Sequence, residues 1–99
     1  MVNQQGSPFY KEDAFAMQRS HRRVASTFPV ARTYQAHIPS YAAGYWLFGF
    51  ASKKYHPVDD LKPERWRELG LRTQYYTTRL HVGSFYLPAF LEEMLLSVE

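Results

Sequence analysis

The chain contains no cysteine, only five glycines among 99 residues, and no long apolar run. Each absence excludes something. Without cysteine there are no disulfides, no thiolate nucleophile and no Cys-type zinc site, and the composition fits a reducing compartment, with the cytoplasm as the expected location. With so few glycines, none clustered, there is no glycine-rich loop to cradle a phosphate or a nucleoside. The longest apolar run, Tyr45 to Ala51, is far short of the roughly 20 residues a membrane helix needs, so no membrane association is expected. Twelve Lys and Arg against nine Asp and Glu give a net charge of +3, too mild a bias to point to nucleic acid.

What is present is apolar and aromatic: hydrophobic residues make up 45%, with eight Tyr, seven Phe and two Trp. That excludes a disordered tail and leaves room for one small domain whose core is marginal unless it packs on something else.

The pattern along the chain predicts its elements. Met1 and Val2 read as the end of a buried strand, and Ser7-Pro8 as a turn that caps and opens a helix. From Lys11 to Thr27 the residues Ala14, Met17, His21, Val24 and Phe28 recur at spacings of three and four, which puts them on one helix face. Glu12 and Asp13 near its start and Arg19, Arg22 and Arg23 in its second half complement the macrodipole. Pro29 stops the helix, and Ala31 to Ile38 alternates as a strand. Pro39 to Gly44 turns, and Tyr45 to Ala51 reads as a strand buried on both faces, antiparallel to the one before. A polar excursion over Lys53 to Lys62 leads to a short helix at Pro63 to Leu69, closed by Gly70. Leu71 to Tyr76 reads as another strand, and Leu87 to Val98 as a last helix with Phe90, Leu91, Met94, Leu95 and Val98 inward.

Three segments, in this order and at these spacings, resemble the spermidine synthase family of polyamine aminopropyltransferases. Val2-Asn3-Gln4 is similar to the family's Val-Ala-Gln. Ile38-Pro39-Ser40-Tyr41-Ala42-Ala43-Gly44-Tyr45-Trp46 is similar to its Ile-Pro-Thr-Tyr-Pro-Ser-Gly and the bulky pair that follows. Tyr75-Tyr76 and His81-Val82-Gly83-Ser84-Phe85-Tyr86-Leu87-Pro88 resemble its Tyr-Tyr and His-x-Ala-Ala-Phe-x-Leu-Pro, and Ser52-Lys53-Lys54 matches the bacterial pattern. Ala42, Ala43 and Gly83-Ser84 depart from the family, the first two in the substrate loop, which leaves the preferred amine open.

The resemblance implies an α/β fold: the C-terminal part of a Rossmann-like, methyltransferase-type doubly wound sheet that ends in an antiparallel strand pair. It implies that residues 1–99 are the C-terminal segment of the catalytic domain, with the donor-binding N-terminal part absent. The family moves an aminopropyl group from decarboxylated S-adenosylmethionine to putrescine, giving spermidine. That sulfonium donor is a co-substrate bound by the missing part, and no cofactor or metal is expected. The family's glycine-rich donor loop and Asp-rich segment have no counterpart here, so no catalytic residue is expected in this segment, and the chain alone is expected to be inactive. What it would carry is one wall of the amine site: Tyr41, whose hydroxyl matches a substrate contact, Trp46, lining the aliphatic channel, and Gln4, orienting the far end of the amine. The implied partners are putrescine or a similar polyamine, the N-terminal half of the enzyme and further copies of the chain. His21, His37 and His56 show no metal-ligand spacing and read as structural or solvated, His81 as ordering its turn through hydrogen bonds, and the Arg cluster as a solvated face. The alternative from another class is a non-catalytic remnant or interaction module that packs its sheet edge and aromatics on a partner.

Overall fold

The computed structural model describes residues 1–99, the side chain of Ala42 excepted. Its elements run β1 (Val2–Gly6), α1 (Lys11–Ala25), β2 (Val30–His37), β3 (Tyr45–Ser52), α2 (Pro63–Leu69), α3 (Thr78–Gly83) and α4 (Ala89–Leu96). The sheet has three strands in the order β1-β3-β2. β3 is antiparallel to both neighbours, so β1 and β2 run parallel to each other and α1 is the crossover between them. The uninterrupted apolar run is thus the central strand and pairs antiparallel to β2 as expected, but only its α1 face is fully buried.

Alternation along β3 divides the structure. Leu47, Gly49 and Ala51 face α1 and are buried, while Trp46, Phe48 and Phe50 face the other way and are half-buried. On the α1 side Met17, Leu47, Leu91 and Leu95 form the core, with Tyr45, Leu87 and Met94 packed around them. α1 delivers Ala14, Met17 and His21 from the expected face. Buried His21 pairs with Glu99 Oε1 at 2.8 Å, a structural arrangement. Gln18 Nε2 donates to Met94 O at 2.9 Å and Asn3 Nδ2 to Ser20 Oγ at 2.8 Å, joining α1 to α4 and to β1.

Several sequence expectations need correction. The first strand continues to Gly6, and its burial lies at Gln5 and Gly6 while Met1 and Val2 are exposed. Ser7 does not cap α1: its Oγ accepts from Phe9 N at 3.2 Å in a local turn, and the helix begins four residues later at Lys11. Leu71 to Tyr76 is not a strand. Its β-prone side chains are engaged individually: Tyr75 Oη accepts from His37 N, and the Tyr76 ring packs on Trp66 at 4.7 Å between centroids. α3 follows unannounced, nucleated by Thr77, whose Oγ1 accepts from Leu80 N at 2.9 Å. α4 starts at Ala89 rather than Leu87: Pro88, itself extended, is the N-cap, and a proline disfavours helix in the residue before it. The short helix at Pro63–Leu69, with Gly70 left-handed behind it, is as read.

Gly49 marks a close approach. A Cβ there would overlap Asn3 Oδ1 and lie 3.0 Å from Gln5 Nε2, and Gln5 Oε1 accepts from Thr33 Oγ1 at 3.2 Å. Gly49→Ala is therefore expected to lower stability by about 1–3 kcal/mol in urea unfolding, as overpacking does. An unchanged midpoint would mean the two amides repack freely.

Candidate functional site

Because β1 and β2 are parallel, their carboxyl ends lie at one end of the sheet, where open α/β sheets place their ligands. The β2–β3 loop crosses that end. Tyr41 N donates to Ile38 O and Gly44 N to Tyr41 O, both at 2.9 Å, and Ile38 N donates to Gly44 O at 3.1 Å. Within the 3-10 turn Ala42–Gly44, Ala43 and Gly44 both have a φ of 64°. Glycine adopts that conformation freely, whereas alanine does so at a cost of about 1–2 kcal/mol. The loop is thus held in an uncommon path by its own backbone bonds.

That path sets Tyr41 against Trp46. The ring centroids are 4.9 Å apart with planes at 75°, an edge contact, and Tyr41 remains 38% exposed. Trp46 Nε1 is buried and makes no hydrogen bond, an unsatisfied donor immediately behind the exposed phenol. Gln4 is exposed on β1 opposite Phe48, so it shares a sheet face with Phe48 and Trp46. The structure thus brings Tyr41 and Trp46 into contact and puts Gln4 on the same face, two positions further along β3. Neither cavity described for the molecule is lined by these three: one, of about 340 Å³, lies against Tyr34, Phe50 and α3, and the other, of about 680 Å³, lies where α1 and α4 end.

Sequence reasoning did not anticipate the aromatic cluster at this end on the α1 side. Phe9 packs on Tyr45 at 5.4 Å and on Phe90 at 6.1 Å between centroids. His37 meets Tyr45 edge-on at 6.0 Å. The Ser-Pro-Phe-Tyr sequence after β1, carrying aromatics just past a strand end, was the available signal. Tyr45 Oη donates to Gln35 Oε1. His81 orders its turn as read: Nε2 contacts Pro57 O at 2.8 Å and so carries the proton, which leaves Nδ1 to accept from Tyr76 Oη at 2.8 Å. Among the described residues no group of three or more His, Cys, Asp or Glu is placed to hold a metal, and no helix is long and apolar enough to cross a membrane.

No family model matches the chain. Individual proteins do. A polyamine aminopropyltransferase of Agathobacter rectalis is 60% identical over 95 residues, which are 96% of this chain and 33% of the relative. The crystal structure of spermidine synthase from Thermotoga maritima superposes with a TM-score of 0.89 at 32% identity, over 97% of this chain and 33% of that one. Over nearly its whole length the chain is similar to polyamine aminopropyltransferases. It spans about a third of the length of the curated relatives it matches. A spermidine synthase solved with the transition-state analogue AdoDATO fits equally well, with a TM-score of 0.89, 32% identity, and coverage of 97% of this chain and 32% of that one.

Burial also shapes the phenols. Desolvation raises the pKa of Tyr34, Tyr45 and Tyr76 above the ordinary tyrosine value of 10.0. All three are neutral in both folded and unfolded chains below that value. Above it the unfolded chain loses protons first, so the stability the buried neutral phenols contribute is lost as pH rises through their folded pKa. Denaturation midpoints are expected to fall above about pH 10, and Tyr34→Phe, which removes no hydrogen bond described for the molecule, should make that fall shallower. A slope unchanged by Tyr34→Phe would show that its phenol ionises as freely folded as unfolded.

Proposed function

We propose that this chain is the C-terminal part of a polyamine aminopropyltransferase, with a Rossmann-like sheet continuing beyond it, and that it supplies one wall of the amine site. The observation that carries this reading is the edge contact of Tyr41 with Trp46 at the carboxyl end of β1 and β2, on the segment that matches polyamine aminopropyltransferases. The reaction is a displacement. An uncharged amine nitrogen attacks the methylene carbon beside the sulfonium of decarboxylated S-adenosylmethionine; the C–N bond forms, the C–S bond breaks and its electrons leave with a neutral thioether. The protein's work is to align nitrogen and carbon and to take the surplus proton.

The wall contributes alignment. The Tyr41 hydroxyl accepts a hydrogen bond from the amine, Trp46 presents an indole to the aliphatic stretch and its ammonium, and the Gln4 side-chain carbonyl accepts from the far end. Putrescine, with cations at both ends of a short apolar chain, matches that order. The donor site and the proton acceptor belong to the other two thirds, as a longer chain or a separate subunit. Function in the cytoplasm, as a homo-oligomer, accords with a cysteine-free composition and with the aromatics left exposed.

A second reading, a non-catalytic interaction module, is favoured by one observation: the 99 residues carry no glycine-rich loop. One assay separates the two. Alone, the chain is expected to transfer no aminopropyl group. Co-expressed with the unmatched part of the Agathobacter rectalis relative, it is expected to restore transfer. Tyr41→Phe should lower that rate roughly ten- to a hundredfold, the worth of a hydrogen bond to a charged group, with thermal unfolding unchanged because the hydroxyl has no partner among the hydrogen bonds described. An unchanged rate removes Tyr41 from the site, and a silent pair favours the second reading.

A further inference from the structure

At the end of the sheet remote from Tyr41, where β2 begins, the cavity of about 680 Å³ opens beside the last turns of α1 and α4. That volume lies within the range of about 300–1,000 Å³ usual for small-molecule sites. Phe28, Pro29 and Val98 give it apolar surface, and Arg22 from α1 and Arg32 from β2 also line it. Arg22, which the sequence placed on a solvated face, thus borders a recess.

Donors and acceptors around this recess are unequally satisfied. The carbonyls at the two helix ends are already engaged: Arg22 O accepts from Ser26 N, Arg23 O from Ser26 Oγ and Thr27 Oγ1, and Met94 O from Ser97 Oγ. The donors have no such matching. Among the described residues no carboxylate pairs with Arg22 or Arg32. Arg32 Nη1 donates to Ala31 O at 3.0 Å, which holds the guanidinium at the sheet edge with most of its five N–H groups free. A backbone donor joins them. The N–H groups of Gln35 and His37 point outward from β2, to Ser84 O and Tyr75 Oη. By the alternation of an antiparallel ladder the N–H of Ala31 also turns away from β3. Ala31 is buried and lines the cavity, and its N–H has no acceptor among the hydrogen bonds described. Among the described residues Glu99 is the one acid in the lining, and its Oε1 is held by buried His21 at 2.8 Å.

These groups define their occupant. The guanidinium fork matches the oxygens of a carboxylate or a phosphate. A neutral apolar molecule would strip water from the donors without replacing its hydrogen bonds, and a bare inorganic anion would leave Phe28 and Pro29 wet. We propose that this cavity binds a small organic oxyanion, a carboxylate or phosphate on an apolar body. Arg22, Arg32 and Ala31 N hold the anionic head, and the body covers Phe28, Pro29 and Val98. The length of β2 separates this site from the wall formed by Tyr41 and Trp46, and its ligand is opposite in charge to an amine. The inference therefore stands apart from the function proposed above.

Phenyl phosphate, benzoate and inorganic phosphate are the probes, titrated into the full chain by calorimetry at low salt. Saturable binding of at least one aryl probe is expected, and the tighter of the two tells a phosphate head from a carboxylate. Inorganic phosphate should bind at least tenfold more weakly. Arg22→Gln and Arg32→Gln should each weaken the aryl probe at least tenfold, the loss of a charge-assisted hydrogen bond, while their thermal unfolding without probe stays unchanged because neither side chain is ion-paired. Glu99→Gln, which removes a like charge, should tighten binding about two- to fivefold, and Arg65→Gln, on the exposed surface of α2, should leave it as it was. Absence of binding by both aryl probes overturns the site. So does binding that survives both arginine substitutions. Equal affinity for inorganic phosphate would reduce the cavity to a charged patch and overturn the proposed ligand class.

Discussion

The arrangement depends on one constraint: β3 lies between β1 and β2 and antiparallel to both. A crossover through α1 makes β1 and β2 parallel, and the strand inserted between them must then start at the end where they finish. The β2–β3 connection is forced to cross that end as a tight loop, which is why Tyr41 stands above Trp46, the second residue of β3. Had β3 paired at the outer edge of β2 instead, the loop would lie to one side, and Gln4 would have no register with the face that carries Trp46.

The central strand is also where local rules are most closely contested. Its α1 face must accept polar groups from both neighbours, Asn3 and Gln5 from β1 and Thr33 from β2, over the single residue Gly49. The result is compact, with Asn3 Oδ1 left buried and without a partner. The other departures gather at the loop: an alanine in a left-handed conformation and a buried indole N–H with nothing to bond. Each costs free energy, and neither is needed to make the turn, since glycine at residue 43 would serve it better. Locally unfavourable choices concentrated in a few residues are what a binding site looks like in an otherwise consistent fold.

Much of the fold was legible because its determinants are local. The inward face of α1 follows from spacing, Gly70 from the need for a left-handed residue behind α2, and β3, antiparallel to β2, from an apolar run that follows a turn. Where reading failed, the determinant was a contact at long range or a cue too short to register. Leu71 to Tyr76 has strand composition, yet the β2 edge is taken by Ser84 O, and the segment's own Tyr75 meets that edge through its side chain instead of its backbone. α3 is six residues long, and its one signal is a threonine cap in a stretch rich in Thr. The choice of Tyr41, Trp46 and Gln4 came from likeness to a family, and no periodicity would have selected them. Their proximity depends on the conformation of Ala43, which composition does not predict. The cluster of Phe9, Tyr45 and Phe90 joins residues far apart in sequence, beyond the reach of any local pattern.

Magnitudes decide how the proposed work is divided. An indole or phenol face attracts an ammonium by about 0.5–2 kcal/mol, and a hydrogen bond involving a charged group is worth about 1.5–3 kcal/mol. Association itself costs on the order of 4–15 kcal/mol in lost freedom before any contact is counted. Two aromatic rings and one amide therefore fall short of, or barely balance, the cost of holding a diamine. Among the described residues no ion pair or hydrogen bond links a carboxylate to Tyr41, Trp46 or Gln4. A wall of this kind can orient a cationic chain held chiefly by acids elsewhere, and it gains its value when a second surface closes over it.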